Sequence, residues 1–391
     1  MERRIYLDNA STTYVSSEVL NEMLPCFNSI YGNAGSLHSY GREAMALVDV
    51  ARDRIKAAIG AKKANEIYFT SGGTEADNWA IIGTAHANAE KGKHIITSQI
   101  EHHAVLNACQ YLEKEGYEVT YLPVDKNGLV NLPELLHNIR KDTTLISIMS
   151  VNNEVGTIQN IKAIAKIAHD YGIIFHTDAV QAIGHLKMDV QDMEIDLMSM
   201  SSHKIHGPKG VGALYIKDGI KIDPIMFGGE SQERGKRSGT ENVPGIVGFG
   251  KAIELTAKNY VVNNKKIKEI REYFLERLEK KVEHFKVNGH PHQKSNAILN
   301  ISFYGVEGES LLMLLDLAGI CVSTASACTS KSALPSHVLK AMGIDDGIAQ
   351  SSIRISFDTN ISKSDVDYVV DKIQEIVAKL RAISPIQPGR I

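Results

Sequence analysis

IDLMSMSSHKIHGPKGVGALYIK (195–217) is the segment that decides the predicted fold, because it holds two apolar runs on either side of a polar turn. Each run has the length and composition of a buried strand, and the turn SSHKIHGPKG (201–210) carries Lys204. A lysine that closes a buried strand can lose enough solvation to act as an amine nucleophile. The serines and histidines beside it offer hydrogen-bond donors to a phosphate, and this combination suggests pyridoxal phosphate chemistry.

Outward from this segment, short apolar runs alternate with helix-like segments between about residues 65 and 216. One predicted helix between two runs has Asn160 as its cap, Gly172 at its end and a single apolar face. This alternation is typical of a mainly parallel α/β sheet with helices on both faces. The strand candidates are EIYFT, HIITS, TLISIMSV, IIFHTDAV, IDLMSM and VGALYIK, and the apolar helix face consists of Ile161, Ile164, Ala165 and Ala168.

The sequence changes character beyond about residue 250. A long, charge-rich helical pattern comes first, followed by alternating strands and a final amphipathic helix. We interpret this part as a smaller α+β domain (1–15 and 258–391) beside a large α/β domain (16–257). The predicted inward-facing positions of the two helices are Ile267, Ile270, Phe274 and Leu278, and Val366, Val369, Val370, Ile373 and Val377.

Composition limits the classes of protein to which the chain can belong. Its 391 residues are 43% hydrophobic, and 43 Lys and Arg against 46 Asp and Glu give a net charge of −3, so neither nucleic acid nor an anionic membrane is an expected partner. The start MERRIYLDNASTT lacks an apolar signal-peptide core, so secretion and membrane insertion are not expected. Four cysteines without CxxC spacing fit a reducing cytoplasm.

A candidate phosphate site lies in FTSGGTEADNWA (69–80), which runs from a predicted strand through two glycines into a helix. Free backbone N–H groups at a helix start, together with the Thr74 hydroxyl, form an anion cradle. Ser201 and His203 supply further donors from their side chains. By itself, the segment is equally compatible with a plain glycine turn.

Asp178 ends the apolar run IIFHTDAV (173–180), where an unpaired carboxylate would be costly. A pyridinium nitrogen would keep the carboxylate ionised, and that ion pair makes a cofactor ring an electron sink. The alternative is a carboxylate that caps a following helix. If a helix begins here, Gln181 lies one turn away.

His102 follows the run HIITS within the segment Ile100-Glu101-His102-His103, and it could place an imidazole on a flat ring. The adjacent histidine pair also suggests a metal, but neighbouring residues rarely point at the same ion. No carboxylate or thiol is suitably spaced to complete such a site. A metal site is therefore not expected.

Arg354, in QSSIRISF (350–357), lies on a strand-like segment whose apolar neighbours point the other way. An arginine held on a strand can bind a substrate carboxylate with two parallel hydrogen bonds. A structural salt bridge is the competing account. Asn152 and Asn153 end another strand and can offer amide donors to the same ligand or to the ring.

Cys328 lies in STASACTSKSALPS (323–336), a stretch of almost wholly small and polar residues. Such a composition does not pack a core, so the thiol is predicted to be exposed on a loop where a thiolate can attack. An incidental loop cysteine is the alternative. Cys321, between Ile320 and Val322, is predicted to be buried and inert.

Taken in order, these motifs resemble the class I cysteine desulfurases of the NifS/IscS group, in the class V aminotransferase family. The resemblance covers almost the whole chain and implies the type I fold of pyridoxal-phosphate enzymes, with a seven-stranded, mainly parallel sheet and a smaller α+β domain. The matching stretches are YLDNASTT (6–13), SLHSYGREA (36–44), SGGTEADN (71–78), EHHAVL (101–106), VNNEVG (151–156), HTDAVQ (176–181), SSHKIHGPKG (201–210), RSGTENV (237–243), SACTS (326–330) and SSIRIS (351–356).

Carried over position by position, the resemblance implies that Lys204 forms the Schiff base with pyridoxal 5'-phosphate, that Asp178 pairs with the ring nitrogen and that His102 lies on the ring face. It also implies that Asn153 and Gln181 lie near the ring hydroxyl. The residues implied around the phosphate are Gly73, Thr74, Ser201, Ser202 and His203.

The same resemblance implies a homodimer in which Thr240 reaches the phosphate bound by the neighbouring subunit. Arg354, with Asn153, is implied to hold the carboxylate of L-cysteine. Cys328 is implied to take the sulfur as a persulfide while alanine is released, and His102 is a candidate proton carrier. The implied partner is a sulfur-acceptor protein such as an iron–sulfur scaffold.

Two other hypotheses stay open from the sequence. A lyase or aminotransferase of the same fold, for instance one that acts on selenocysteine, would leave Cys328 incidental. A sulfur-carrier platform that binds partners without turnover would have no need of Lys204 or Arg354. The stretch SFDTN (356–360) departs from the usual family sequence, and we expect this departure to alter the local backbone and not the chemistry.

Overall fold

The computed structural model describes residues 4–229, 231–324 and 335–385. Within these ranges the strands form a seven-stranded sheet, a four-stranded sheet and a two-stranded pair. The strands are β1 Ile5–Tyr6, β2 Ile67–Thr70, β3 His94–Ser98, β4 Glu118–Leu122, β5 Thr143–Ser147, β6 Ile174–Asp178, β7 Leu197–Ser201, β8 Gly212–Ile216, β9 Phe285–Asn288, β10 Ile298–Phe303, β11 Ile320–Cys321, β12 Ser323–Thr324 and β13 Ser352–Ser356.

Helices alternate with the strands of the large sheet. Three helices, α3, α9 and α13, are much longer than the others. The α-helices of the described residues are α1 Ser17–Met23, α2 Pro25–Asn28, α3 Ser39–Ile59, α4 Gly73–Asn78, α5 Thr84–Ala87, α6 His103–Lys114, α7 Leu132–Asn138, α8 Ile161–Asp170, α9 Val243–Glu279, α10 Gly308–Leu317, α11 His337–Ala341, α12 Asp346–Gln350 and α13 Lys363–Ile383. A π-helical stretch, Trp79–Gly83, joins α4 to α5.

The seven-stranded sheet has the order β2-β8-β7-β6-β5-β3-β4. Strand β8 is antiparallel to both β2 and β7, and the other pairs are parallel. The six strands predicted from apolar runs are confirmed. Strand β4 was not predicted, because it is an edge strand whose first residues are exposed or half-buried, so EVTYL carries no continuous apolar run.

Helices cover both faces of this sheet, as the sequence predicted. Neighbouring strand residues belong to different cores, since side chains alternate between the two faces. Ile96 and Ile146 pack in the core shared with α3, α8 and the start of α9. Ile95 and Leu145 pack in the core shared with α6. The predicted apolar face of α8 is buried, although Asn160 occupies the cap position without a side-chain hydrogen bond to the helix.

The remaining strands and helices build a second core. Antiparallel strands β12-β13-β10-β9 form its sheet, and α10, α13 and the second half of α9 pack around it. Every inward-facing position predicted for α9 and α13 is buried. Helix α9 runs without interruption from the first core into the second, so the two cores share a helix and have no linker between them at this point.

Two sequence predictions about cysteines and membranes can be compared with the described residues. Cys26 and Cys109 are buried free thiols, whereas Cys321 is only partly buried. The prediction that Cys321 is buried is wrong, because β11 pairs with β1 alone in a two-stranded unit and leaves the thiol partly exposed. Among the helices of the described ranges, none combines the length and the apolar composition that a membrane span requires.

Candidate active site

A cavity of about 380 Å³ lies where several parallel strands of the large sheet end. Strand β6 ends at Asp178, and β7 ends at Ser201. These carboxyl ends bring together most of the residues singled out in the sequence. The lining residues are Ala10, Ser11, Gly73, Thr74, Asp77, His102, Met149, Asn153, Asp178, Val180, Gln181, Ser201, His203, Lys204 and Arg354.

Lys204 closes the short 3-10 turn Ser202–Lys204 that follows β7 directly. Its Nζ atom donates hydrogen bonds to the carbonyl oxygens of Ala10, at 2.6 Å, and Ser11, at 2.8 Å. The Gln181 side chain also donates to the Ala10 carbonyl, at 2.8 Å. The N-terminal segment therefore holds the lysine amine at the edge of the cavity.

One end of the cavity is rich in hydrogen-bond donors. Gly73 and Thr74 begin α4, where backbone N–H groups have no partner within the helix. The Ser201 hydroxyl is buried and has no hydrogen-bond partner among the described residues. A Cβ atom at Gly73 would lie 2.7 Å from the Val180 side chain, so only glycine permits this approach of α4.

An ion pair between Glu75 and Arg237 stabilises the donor-rich end of the cavity. Arg237 donates from Nε at 2.7 Å and from Nη2 at 3.1 Å, and the Ser71 backbone N–H donates to the same carboxylate at 2.7 Å. Burial opposes ionisation of Glu75, but the hydrogen bonds from Arg237 and Ser71 lower its pKa overall. The loop before α4 is thus tied to the segment that contains Arg237.

Two buried carboxyl groups, Asp77 and Asp178, line the same cavity. Burial raises the pKa of Asp178 to about 6, and burial together with the charge of Asp178 raises the pKa of Asp77 well above its usual range. Like charges this close oppose double ionisation, so a cation beside Asp178 would favour its charged form. Asp178 accepts from the Val180 N–H at 2.8 Å, and hydrogen-bonded turns follow it instead of the helix that the alternative required.

His102 caps α6 and lines the cavity. Its Nδ1 accepts a hydrogen bond from the Ala104 N–H at 3.1 Å, which places the ring proton on Nε2. Burial, with smaller contributions from Lys204 and His103, lowers the pKa of His102 to about 4. The imidazole is therefore neutral near pH 7. In the described ranges, His, Cys, Asp and Glu side chains form no cluster of three suited to a metal ion.

Arg354 lies on β13 and lines the cavity. Its guanidinium donates to the Asn153 carbonyl at 2.9 Å, to the Asp8 carboxylate at 3.0 Å and to the Ser11 hydroxyl at 2.6 Å. Its Nε–H has no partner among the described residues. The salt bridge anticipated as an alternative exists, and the same residue also lines the cavity.

Two predicted site residues, Ser202 and Thr240, do not line the cavity, and a third is not among the described residues. Ser202 is buried, and its Oγ atom lies 2.0 Å from the position that a Cβ at Gly207 would take, so its side chain does not line the cavity. Thr240 is exposed and also does not line it. Cys328 is outside the described residues.

Sequence reasoning did not single out Asp77 or Ser11, although both line the cavity. Asp77 lies in the quoted segment FTSGGTEADNWA, but a carboxylate early in a helix is normally interpreted as a favourable charge at the helix start. Asp77 is instead buried, with its carboxylate 3.8 Å from Nε2 of His176, and no sequence pattern indicated this contact between distant segments.

The cavity fits pyridoxal phosphate in the chemistry of its donors. The buried Ser201 hydroxyl, with Gly73 and Thr74 beside it, suits a phosphate that needs several donors. Asp178 would meet a protonated ring nitrogen, whose positive charge would favour the ionised carboxylate that burial opposes. Lys204 presents an amine to the same space.

Comparison with known proteins agrees with this assignment. The family model "Aminotransferase class-V" matches residues 5–369. The chain is 52% identical to "Cysteine desulfurase IscS" of Methanosarcina thermophila over 386 residues, which cover 99% of this chain and 95% of the relative. Among solved structures, a "NIFS-LIKE PROTEIN" superposes with a TM-score of 0.91 at 39% identity, covering 96% of this chain and 100% of the other. "SspA in complex with cysteine" has a TM-score of 0.82 at 36% identity, covering 90% and 99%.

These matches extend over nearly the full length of both compared chains. The type I fold predicted from the resemblance is confirmed. The family is one of pyridoxal-phosphate enzymes, so the cofactor predicted from Lys204 and Asp178 is confirmed as well. The chain belongs to the class-V aminotransferase family, within its cysteine desulfurase group of IscS and NifS-like proteins.

Proposed function

We propose that this protein is a cysteine desulfurase that converts L-cysteine to L-alanine and holds the released sulfur as a persulfide on Cys328. The observation that carries the proposal is the cavity in which Lys204, Asp178, His102 and Arg354 meet. The names of the relatives support the same reaction. SspA, whose fold is similar, has been solved in complex with cysteine, and this complex supports the choice of substrate.

Pyridoxal phosphate, when bound, supplies a ring that accepts the electron pair left on the substrate when its Cα proton is removed. In our proposal Lys204 holds the cofactor and then acts as the base for that proton. Asp178 keeps the ring nitrogen charged, and neutral His102 lies on the ring face, where its Nε2–H can carry a proton.

The other site residues hold the cofactor and the substrate. Arg354, with Asn153, orients the substrate carboxylate, because a fixed guanidinium offers charge-assisted hydrogen bonds to it. Gln181, with Asn153, lies near the ring hydroxyl. The residues that we propose around the phosphate are Gly73, Thr74, Ser201, Ser202 and His203, with Ser202 acting through its position in the turn, since its hydroxyl points elsewhere.

Sulfur transfer needs the thiolate of Cys328. The thiolate attacks the substrate sulfur, so an S–S bond forms while the substrate C–S bond breaks. The electron pair of that broken bond stays with carbon, which takes a proton and becomes the methyl group of alanine. An ordinary thiol has a pKa of about 8.5 and is mostly protonated at pH 7, so removal of its proton near the site is part of the step.

The proposal is tested by mass spectrometry of the cofactor-loaded protein after it is mixed with L-cysteine, with alanine assayed in parallel. We expect Cys328 to gain one sulfur atom and alanine to appear. The C328A variant should lose both, and a C321A variant, which removes a partly buried free thiol, should keep both. Persulfide formation by C328A at the parent rate would refute the role of Cys328. An unmodified Cys328 together with an oxo acid or selenide product would favour a lyase or aminotransferase of the same fold.

We further propose a homodimer in which Thr240 reaches the neighbouring cofactor. Thr240 is exposed, and the tie between Arg237 and Glu75 keeps its segment close to the donor-rich end of the cavity. A run of exposed apolar side chains between residues 14 and 40 supports a protein interface. These side chains are Tyr14, Leu20, Leu24, Phe27, Tyr31, Leu37 and Tyr40.

Three finer assignments complete the proposal. The physiological acceptor is a sulfur-accepting protein such as an iron–sulfur scaffold, which the names of the relatives support. The compartment is the cytoplasm, which the free thiols of Cys26, Cys109 and Cys321 support. The domain division is 16–257 against 1–15 with 258–391, and the two separate cores support it.

A further inference from the structure

A second, much smaller cavity of about 20 Å³ lies on the other side of Lys204. Lys204, Ala10 and Gln181 line both cavities, so the lysine separates them. The remaining lining is unusually polar for so small a space. It consists of Asn9, Thr13, His185, His206, Ala297, Ile298, Ser356, Phe357 and Asp358.

Three side chains around this cavity, His185, His206 and Asp358, form what we call the rear cluster. Each has a buried polar atom without a hydrogen-bond partner among the described residues: Nδ1 of His185, Nδ1 of His206 and Oδ2 of Asp358. Buried polar atoms are normally hydrogen-bonded, by protein or by ordered water. All three residues line the same small cavity, so a ligand there that both donates and accepts hydrogen bonds would lie beside these partnerless groups.

The size of the cavity identifies that ligand. One water needs roughly 10–15 Å³ of accessible space and two to four polar partners. The cavity offers about 20 Å³ and is lined by the three residues of the rear cluster, which suits one water molecule. Lys204 lies at the wall of the same space.

Hydrogen bonds fix the position of the rear cluster, and one of its members, His206, is partly exposed to solvent. Asp358 is buried, and its Oδ1 accepts from the Thr359 N–H at 2.6 Å and lies 3.4 Å from Nε2 of His206. The His206 backbone adopts a positive φ of 63° and donates to the Thr13 hydroxyl at 2.8 Å. The His206 side chain is 29% exposed, so the pair connects the cavity with the surface.

We propose that this cavity holds one ordered water and that Asp358, through His206 and this water, is a positioning residue that sets the protonation of the nitrogen of Lys204. This inference rests on the proposed role of Lys204 as the lysine that holds the cofactor. The carboxylate lies on the side of the lysine opposite to the substrate. It therefore favours a protonated nitrogen at that position without touching substrate.

The ionisation of the surrounding groups is consistent with this role. Burial opposes a charge on Asp358, but the hydrogen bond with His206 and the Thr359 contacts lower its pKa, so it is ionised near pH 7. Burial lowers the pKa of His185 to about 4, so its ring is neutral there. Tyr14, whose ring lies 4.7 Å from that of His206, has a raised pKa because of burial and the charge of Asp358. Asp358 is thus the ionised carboxylate of the rear cluster, and it lines the same cavity as His206 and Lys204.

The test is a pH titration of the visible absorption of bound pyridoxal phosphate in the cofactor-loaded protein. We expect the D358N variant to shift the midpoint to lower pH by about half a pH unit or more, because a nearby negative charge is lost. The matched control is D196N, since Asp196 is equally buried and pairs with His169 at 2.8 Å at the other end of β7. That control should leave the midpoint in place. An unchanged midpoint in D358N would overturn the positioning role.

A high-resolution crystal structure of the unmodified, cofactor-loaded protein tests the water even if D358N fails to fold. We expect an ordered water within hydrogen-bond distance of His185 Nδ1 and Asp358 Oδ2. An empty cavity would overturn the inference. Neither measurement requires turnover of L-cysteine or the presence of Cys328, so failure of the proposed desulfurase reaction and failure of this inference are separate results.

Discussion

Replacement of Arg354 by glutamine separates the two roles that this residue can have. Arg354 carries five N–H donors, and the described residues accept from three of them: Asn153 from Nη1, and Asp8 and Ser11 from Nη2. The contacts leave one Nη1–H unused, and the buried Nε–H has no partner among the described residues, so in our proposal the substrate carboxylate accepts from this guanidinium. Loss of hydrogen bonds to a charged group costs about 1.5–3 kcal/mol, which corresponds to about a 10-fold to 150-fold fall in kcat/KM.

The assay is the initial rate of alanine formation over a range of L-cysteine concentrations, with urea unfolding measured in parallel. Most of the loss in R354Q should appear as a higher KM, because the carboxylate is bound before and during the reaction. R354K should recover part of the affinity through its charge. The control is R271Q, because Arg271 is also 4% exposed and also has a partnerless Nε among the described residues, yet it does not line the cavity.

The competing account makes Arg354 only the ionic partner of Asp8. Under that account, R354Q and D8N would lower the urea midpoint by similar amounts and leave KM unchanged. A KM for R354Q within twofold of the parent value, with reduced stability, would therefore refute the substrate role. A rise in KM for R271Q equal to that for R354Q would show that the effect arises from loss of a buried charge in general.

Two further predictions concern stability. Glu233 is a buried partner of Arg52, with contacts of 2.9 and 2.7 Å, so E233A should lower the free energy of unfolding by about 3–5 kcal/mol in urea, and the R52M/E233L double variant should recover most of that loss. Burial raises the pKa of Glu101 from 4.5 to about 8. The folded protein therefore holds the Glu101 proton more tightly than the unfolded chain does. This difference contributes its full stability below pH 4.5, and the contribution is lost as the pH rises through 8. E101Q should flatten this dependence by up to ~1.4 kcal/mol per pH unit, and equal slopes for E101Q and the parent between pH 5 and 8 would contradict this pKa shift.

The fold could be predicted to the extent that burial leaves an unbroken apolar signal in the sequence. Strands β5, β6 and β7 are covered on both faces, so their apolar runs were visible without knowledge of their neighbours. Edge strand β4 is half-exposed and gave no such run. The length of α9 was also not visible, because its first half is glycine-rich and packs against the first core, whereas its second half has the amphipathic pattern that marked a new domain.

The site could be predicted where a polar residue ends an apolar strand. Asp178 and Lys204 were found in this way, because parallel strands bring their carboxyl ends to one edge of the sheet. The sequence could not show which of two adjacent serines has its side chain in the cavity. Ser201 and Ser202 have the same side chain, but Ser201 ends β7 and lines the cavity, whereas Ser202 begins the 3-10 turn and its side chain faces Gly207.

The stretch SFDTN shows why contacts between distant segments need the structure. From the sequence it was expected to change only the local backbone, yet its Asp358 is buried and pairs with His206, two residues after Lys204 in the chain. The same strand, β13, places Arg354 in the main cavity and leads directly to Asp358 behind the lysine. A change in the pairing of β13 would therefore move groups on both sides of Lys204 together. If Arg354 and Asp358 have the two roles that we propose, a substitution that shifts β13 should alter KM and the absorption midpoint at the same time.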